Sequence, residues 1–214
     1  ELVFSASLTD VARDRTGVRV SRLTARDLAN GGRLQFSEFL ETLAGVNVTQ
    51  SGPIGTSATL RIRGLDSKYI PVRINGIDVT DPSSTQTQFD FGKLTSSGIA
   101  SAEVLYGSQS AILGSGAIGG AVNITTVDAP DEIGSEIGYN LEVGSFETMR
   151  TGLTYGTRFE RGFLAVSLSN TNTEGYSAAD ENAGNAEADG FESTDLSLRG
   201  EYQATDTLTF GASV

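Results

Sequence analysis

The chain has 214 residues with no Cys, His or Trp, and its 15 basic and 27 acidic side chains give a formal net charge of −12. Without imidazole or thiol it cannot assemble a Ser-His-Asp triad, a Cys-His nucleophile, a disulfide scaffold or the usual Cys/His zinc site. No window approaches the roughly 18 consecutive apolar residues of a membrane helix, which excludes a helical membrane protein and leaves a membrane β-barrel open.

The acid is unevenly placed. Residues 1–130 hold 11 basic and 12 acidic side chains, whereas 131–214 hold 4 and 15. Two units of different character are expected, divided near Asp128-Ala-Pro-Asp-Glu. So acidic a second unit would repel nucleic-acid phosphates, so no nucleic-acid partner is expected.

In chain order, Thr24-Ala-Arg-Asp27 has the form of a capping box, and a short helix through Leu28 is predicted behind it. Phe36, Phe39, Leu40 and Leu43 then fall at i, i+3, i+4 and i+7, a second helix with one apolar stripe, ended by Gly45. Short strands follow at Val46 to Val48, Ala58 to Arg63, Val72 to Ile74, Ala102 to Tyr106 and Ala121 to Thr126, with a tight turn at Asn75-Gly76. Gly114-Ser-Gly116-Ala-Ile-Gly119 satisfies the G-x-G-x-x-G pattern of dinucleotide-binding loops. A β run follows it instead of a helix, so it is read as a turn that lets backbones pack closely.

From residue 131 the period changes to two. Ile137, Tyr139, Leu141 and Val143 alternate with Gly138, Asn140, Glu142 and Gly144, and the pattern recurs on four further runs carrying Met149, Leu153 and Tyr155; Leu164, Val166 and Leu168; Leu196, Leu198 and Tyr202; and Leu208, Phe210, Ala212 and Val214. The opposite faces carry Arg150, Ser167, Asp195, Arg199, Glu201 and Thr209. Runs of roughly 8 to 12 residues with alternating short and long connections predict an antiparallel up-and-down meander. Periodicity alone does not separate a soluble sandwich from a membrane barrel. Five strands cannot close a barrel, so the chain is expected to be truncated.

The stretch from Ile99-Ala-Ser-Ala-Glu-Val-Leu-Tyr-Gly to Gly119-Gly-Ala-Val-Asn-Ile-Thr-Thr126 resembles the end of the plug domain of TonB-dependent outer-membrane receptors. Leu43-Ala-Gly-Val46, Ile62-Arg-Gly64 and Val72-Arg-Ile-Asn-Gly-Ile77 are similar to further family motifs, in the family's order and spacing. Glu1-Leu-Val-Phe-Ser-Ala6 and the segment from Gly175-Tyr176 to Asp189-Gly-Phe191 are most similar to receptors of the cobalamin type. The resemblance implies an α+β plug domain with its TonB box over residues 1–130, followed over 131–214 by the first strands, about five, of an antiparallel transmembrane β-barrel.

It also implies an importer, not an enzyme, in the outer membrane of a Gram-negative bacterium. Such a monomer, bathed in outer-membrane lipid, carries cobalamin or an iron-siderophore chelate. Leu2, Val3, Phe4, Ser5 and Ala6 would pair with the energy-coupling protein TonB. Gln50, Ser51, Ser57, Ser83, Ser84, Thr85 and Gln86, on two polar loops, would meet the substrate, and Arg61, Arg63 and Arg73 would pair with barrel carboxylates. No cofactor is required; Asp180, Glu181, Glu187 and Asp189 offer the oxygen donors of a calcium loop. One departure stands out: Tyr106-Gly107-Ser108 replaces the family's Arg-Gly-Pro, and the Tyr hydroxyl offers a substitute bond. Two other classes compete: an envelope binding protein without transport, and a hydrolase built on Asp78 and Asp81, which flank a turn where carboxylates ordinarily cap backbone.

Overall fold

The structure is a computed structural model, and it describes residues 2–3, 11–12, 17–83, 87–179, 184 and 187–214. It divides into two compact units, Glu1–Ser51 with Thr56–Thr125, and Gly52–Gly55 with Thr126–Val214.

The first unit begins with two short paired strands, β1 (Leu2–Val3) and β2 (Val11–Ala12). β3 (Arg19–Thr24) leads into α1 (Ala25–Asn30), and the capping box forms as the sequence predicts. The Asp27 backbone N–H donates to Thr24 Oγ1 at 3.3 Å, and the Thr24 N–H returns a bond to Asp27 Oδ2 at 2.8 Å. The second helix, α2 (Phe36–Glu41), ends two residues before Leu43, the last residue of the stripe. Thr42 closes it through its N–H and hydroxyl, both bonded to the Phe39 carbonyl, and Gly45 takes its left-handed φ of 83° in the turn beyond.

Next come the hairpin β4 (Val46–Gln50) and β5 (Ala58–Ile62), then β6 (Val72–Ile74), β7 (Ile77–Asp78), β8 (Ile99–Tyr106), the single turn α3 (Ser110–Leu113) and β9 (Gly120–Thr126). The main sheet runs in the order β3-β8-β9-β6-β7. Asn75 and Gly76 turn β6 into β7 with φ of 51° and 83°, the double left-handed geometry that Asn-Gly favours. The glycine pattern after α3 is a turn: Gly114 takes a left-handed φ of 93°, a Cβ at Gly119 would stand 3.1 Å from Leu65 Cβ, and at the next residue, Gly120 of β9, a Cβ would stand 2.3 Å from the Leu105 carbonyl oxygen. Phe36, Leu40, Leu60, Ile62, Val72, Val104, Val122 and Ile124 are almost fully buried in one core that joins α2 to both sheets. This is ordinary apolar-inside packing.

The second unit is one antiparallel meander of β10 (Gly134–Val143), β11 (Met149–Phe159), β12 (Gly162–Tyr176), β13 (Asp189–Thr205) and β14 (Leu208–Ser213), each paired with the next. Its burial is inverted. Thr171 is 0% and Ser169 3% exposed, with Ser167, Thr173 and Arg150 buried on the same face, whereas Ile137 is 72% and Tyr139 87% exposed, with Leu141, Leu153, Leu168, Leu196 and Phe210 open beside them. Register places these apolar residues together: Tyr139 faces Leu153, Leu153 faces Leu168, and Leu168 faces Leu196. A soluble sandwich buries that face, so the periodicity left ambiguous by sequence is resolved in favour of a lipid-facing wall.

β12 and β13 have 15 and 17 residues, longer than the sequence pattern suggests. The apolar band stops at Asn170 and Thr194, where outward positions turn polar. At about 3.3 Å per residue and a tilt of about 40°, the rise from Gly162 to Asn170 spans roughly 20 Å, close to the roughly 25 Å apolar belt of membrane barrels. The rest of both strands continues beyond the belt. Aromatic pairs mark two levels of the wall: Phe159 with Tyr202, centroids 6.3 Å apart, and Phe146 with Tyr176, 5.4 Å apart. Tyr202 lies at the foot of the band, opposite Gly162, whereas Tyr176 lies six residues past its upper end at Asn170.

Candidate functional site

Leu2 pairs with Ala12 and Val3 with Val11. Among the described residues this ribbon has two strands, so each keeps one unpaired edge, the geometry that accepts an added strand. Phe4, Ser5 and Ala6 lie outside the described residues.

The first polar loop is the tip of the β4–β5 hairpin. Gln50 is the last paired residue, opposite Ala58, and the Ser51 N–H donates to the Ser57 carbonyl at 3.1 Å, so Gln50, Ser51 and Ser57 come together at the loop base. Ser51 and Ser57 are exposed and Pro53 is buried. The second loop is closed by a bridge in which the Asp81 N–H donates to the Gln88 carbonyl at 3.1 Å. Asp81 Oδ1 accepts from Ser83 N at 2.8 Å and from Ser83 Oγ at 2.7 Å. These bonds hold the Asp81 carboxyl below the usual carboxylate range, the Ser83 hydroxyl contributing most. Ser84, Thr85 and Gln86 lie outside the described residues.

Asp78 caps its own turn in the same way, accepting from the Thr80 N–H at 2.9 Å and from the Thr80 hydroxyl. Asp78 and Asp81 thus each hold a turn instead of facing one another as an acid–base pair. The hydrolase reading has no geometry behind it among the described residues.

Sequence reasoning missed the residues that tie the two loops together. Asp90, just after the second loop, accepts from Ala58 N at 2.8 Å and from Gly92 N at 2.9 Å, so one carboxylate anchors both the start of β5 and the 3₁₀ turn Phe91–Lys93. At Gly92 a Cβ would fall 1.8 Å from the Thr56 carbonyl oxygen, so only glycine lets this turn lie against the first loop. The local sequence Asp90-Phe-Gly92 carries the N-cap signal. Its partner, 32 residues upstream, is set only by the fold.

The three arginines have separate surroundings. Arg61 pairs with Asp66 at 3.1 Å on the surface. Arg63, with a left-handed φ of 51°, lays its guanidinium over the Tyr106 ring at 5.1 Å. Arg73 has a buried Nε with no hydrogen-bond partner among the described residues. Tyr106, where the resemblance leads one to expect arginine, is buried. Arg19 and Arg63 both pack against its ring, Arg19 at 5.2 Å, and its hydroxyl donates to Ser21 Oγ at 3.1 Å. Tyr106 thereby ties the edge strand β3 to β8 beyond their backbone ladder.

Asp180 and Glu181 lie outside the described residues. Asp189 Oδ2 accepts from the Ala178 N–H at 2.7 Å, which uses one oxygen for loop closure. No group of three or more acidic side chains disposed for a metal occurs among the described residues.

Residues 12–121 match the family model described as the TonB-dependent receptor plug domain. A "vitamin B12 transporter" of Photobacterium profundum is 33% identical over 145 residues, 68% of this chain and 23% of that protein. Among solved structures, the siderophore receptor PirA of Acinetobacter baumannii superposes with a TM-score of 0.65 at 26% identity, covering 89% of this chain and 30% of that one. The ferripyoverdine receptor of the Pseudomonas aeruginosa outer membrane reaches a TM-score of 0.72 over 100% of this chain and 27% of its own, at 16% identity, a likeness of fold. The chain therefore spans about a quarter of the length of the curated relatives it matches. With a matched plug sequence followed by a meander whose apolar face is open, the chain belongs to the TonB-dependent receptors, proteins of the Gram-negative outer membrane.

Proposed function

We propose that residues 1–130 are the TonB box and plug, and residues 131–214 the leading strands, of a transporter that imports a scarce metal chelate through the outer membrane. Cobalamin is the preferred substrate and an iron siderophore the next. The observation that carries the transport reading is the direct passage from a plug into a wall polar on one face and apolar on the other. That is how a barrel with a polar lumen and a lipid exterior is built. The 33% identity to a vitamin B12 transporter favours a corrinoid.

The plug loops at Gln50, Ser51, Ser57 and Ser83 to Gln86 present hydroxyls and amides, groups suited to a large polar ligand of low charge. Asp90 and Gly92 would fix the distance between those loops, so a ligand meets a preformed surface. Energy would enter where TonB adds a strand to the edge of β1 over Leu2–Ala6, with backbone hydrogen bonds supplying the affinity. Calcium would order the acidic connection at Asp180, Glu181, Glu187 and Asp189.

Proline at Val3 in the complete receptor tests the coupling. It removes a backbone donor from β1 without touching the loops. Energised uptake of cyanocobalamin should fall by about tenfold or more while binding to de-energised cells holds within about twofold. Unchanged uptake sinks the assignment of the box. A parent receptor that binds but never accumulates cyanocobalamin or any of a siderophore panel would instead favour an envelope binding protein.

A further inference from the structure

The second unit contains more than strands. The segment Val127–Pro130, which follows β9, is docked onto the polar face of β11, β12 and β13 by several independent contacts. The Asp128 carboxylate pairs with the Arg199 guanidinium of β13 at 3.1 Å. Arg158 of β11 donates its Nε–H to the Pro130 carbonyl. Gly156 of β11 makes room for the chain: a Cβ there would stand 3.0 Å from the Asp128 carbonyl oxygen, 3.1 Å from Ala129 Cα and 3.2 Å from Pro130 Cδ. Opposite Gly156 in register is Ala165, itself fully buried, so two successive strands present small residues at one spot. Ala129 is 8% exposed.

The two cations are held in place by the wall itself. Phe163 of β12 takes the Arg158 guanidinium at 5.3 Å and the Arg199 guanidinium at 5.3 Å from its ring centre. Its partners across the ladders are Arg158 and Glu201. An ion pair as exposed as Asp128–Arg199 would hold little by itself. A cleft of missing side chains, a backbone acceptor met by a fixed donor and two pre-oriented cations act together on three consecutive residues.

We propose that this cleft is a seat for the plug's exit, and that it keeps Val127–Pro130 stationary while strands nearer the N-terminus rearrange during transport. The role in transport rests on the reading above. The reason lies in the strand order. Tension entering near residue 1 passes the β1–β2 pair and then meets β3, the edge strand, before any inner strand of the main sheet, whereas β9 stands in the middle of that sheet and runs directly into the seated segment. Edge strands hold one ladder and inner strands two. Load is thus released from β3 before it reaches the seat. Arg158 and Arg199 are positioning residues: they need not touch substrate.

The test is thiol labelling in the complete receptor in cells, aided by the absence of Cys from these 214 residues. Ala129→Cys is treated with a sulfonated maleimide, with and without cyanocobalamin, or the chelate the parent receptor accumulates, in energised cells. Slow labelling at one rate in both conditions is expected. Arg199→Glu, which sets two carboxylates against each other, should raise that rate about fivefold or more, and the exchange Asp128→Arg/Arg199→Glu should return it toward the parent value. Should Arg199→Glu fail to insert, Arg158→Gln removes the bond to Pro130 together with the stack on Phe163, leaves the Asp128–Arg199 pair in place and should raise labelling about twofold. Labelling of Ala129→Cys that rises during uptake overturns the stationary seat, and labelling indifferent to Arg199→Glu or Arg158→Gln overturns the seat itself. A parent receptor that accumulates nothing marks instead a failure of the transport reading, since the resting labelling pattern is read without uptake.

Discussion

The two units follow opposite solvent logic. In the plug, Phe36 and Leu40 are fully buried and charged residues such as Arg61 and Asp66 stand in water. In the meander, Thr171 and Ser169 are buried and Tyr139 and Leu168 exposed. One chain thus folds for two solvents, and the difference shows that burial, not hydrophobic content, distinguishes a lumen-forming wall from a core. The same alternation of Leu and Ser would build either structure; what differs is the face to which each is assigned.

The largest expected effect breaks the comparison on the plug side. Phe36→Ala removes a side chain that α2 places at the centre of the core, and by analogy with other buried aromatics it should cost about 3 to 5 kcal/mol. Hydrogen exchange of the complete receptor in detergent would read this as lost protection in the plug, with the protection of β10 to β14 retained. Equal loss across both units would show that they do not stabilise independently.

On the wall, adjacent positions should respond with opposite sensitivity. Leu168→Arg places a cation in the apolar band on β12, two residues from its edge at Asn170, and should cost about 1 to 2 kcal/mol of folding in a bilayer, which heat-modifiability on gels would detect. Ser169→Ala, one residue on, deletes a buried hydroxyl with no hydrogen-bond partner among the described residues and should change stability by less than about 0.5 kcal/mol. If Leu168→Arg were silent and Ser169→Ala severe, the assignment of faces would be reversed.

What sequence makes legible here is what is local. The capping box at Thr24, the Asn75-Gly76 turn and the alternation from Ile137 onward all depend on neighbours within a few residues, and all form as expected. The outer ends of β12 and β13 were not legible, because Asn170-Thr-Asn-Thr173 and Glu192-Ser-Thr194 carry no apolar alternation; their pairing is imposed by the ladder already running below them. The same holds at the candidate site. The loops at Ser51 and Ser83 stand out by composition, but the Asp90 carboxylate that anchors the first loop, the stacking of Arg19 and Arg63 on Tyr106 and the grip of Arg199 on Asp128 span 32 to 87 residues of sequence. No local pattern encodes such pairs.

A modest effect on the plug sharpens the comparison, because it concerns a feature of a water-facing helix end. Thr24 and Asp27 satisfy each other's backbone N–H groups at the start of α1, where an unmet donor is otherwise hydrated. Thr24→Ala should destabilise the plug by about 1 kcal/mol at neutral pH. The Asp27 carboxyl is held below its ordinary value, first by the Thr24 hydroxyl and then by the Thr24 backbone N–H. A depressed carboxylate contributes stability that is present above its unfolded-state value and is lost as pH falls through the folded one. The penalty of Thr24→Ala should therefore be full near pH 7 and shrink in the acid range, where wild type and variant both carry a neutral Asp27. Plug-specific hydrogen exchange at pH 7 and at successively lower pH through the folded-state titration of Asp27, with rates corrected for intrinsic exchange, reads the difference. A penalty that stays constant across that interval would mean that the Thr24 hydroxyl acts on α1 without the carboxylate, and the reciprocal cap would reduce to a single bond.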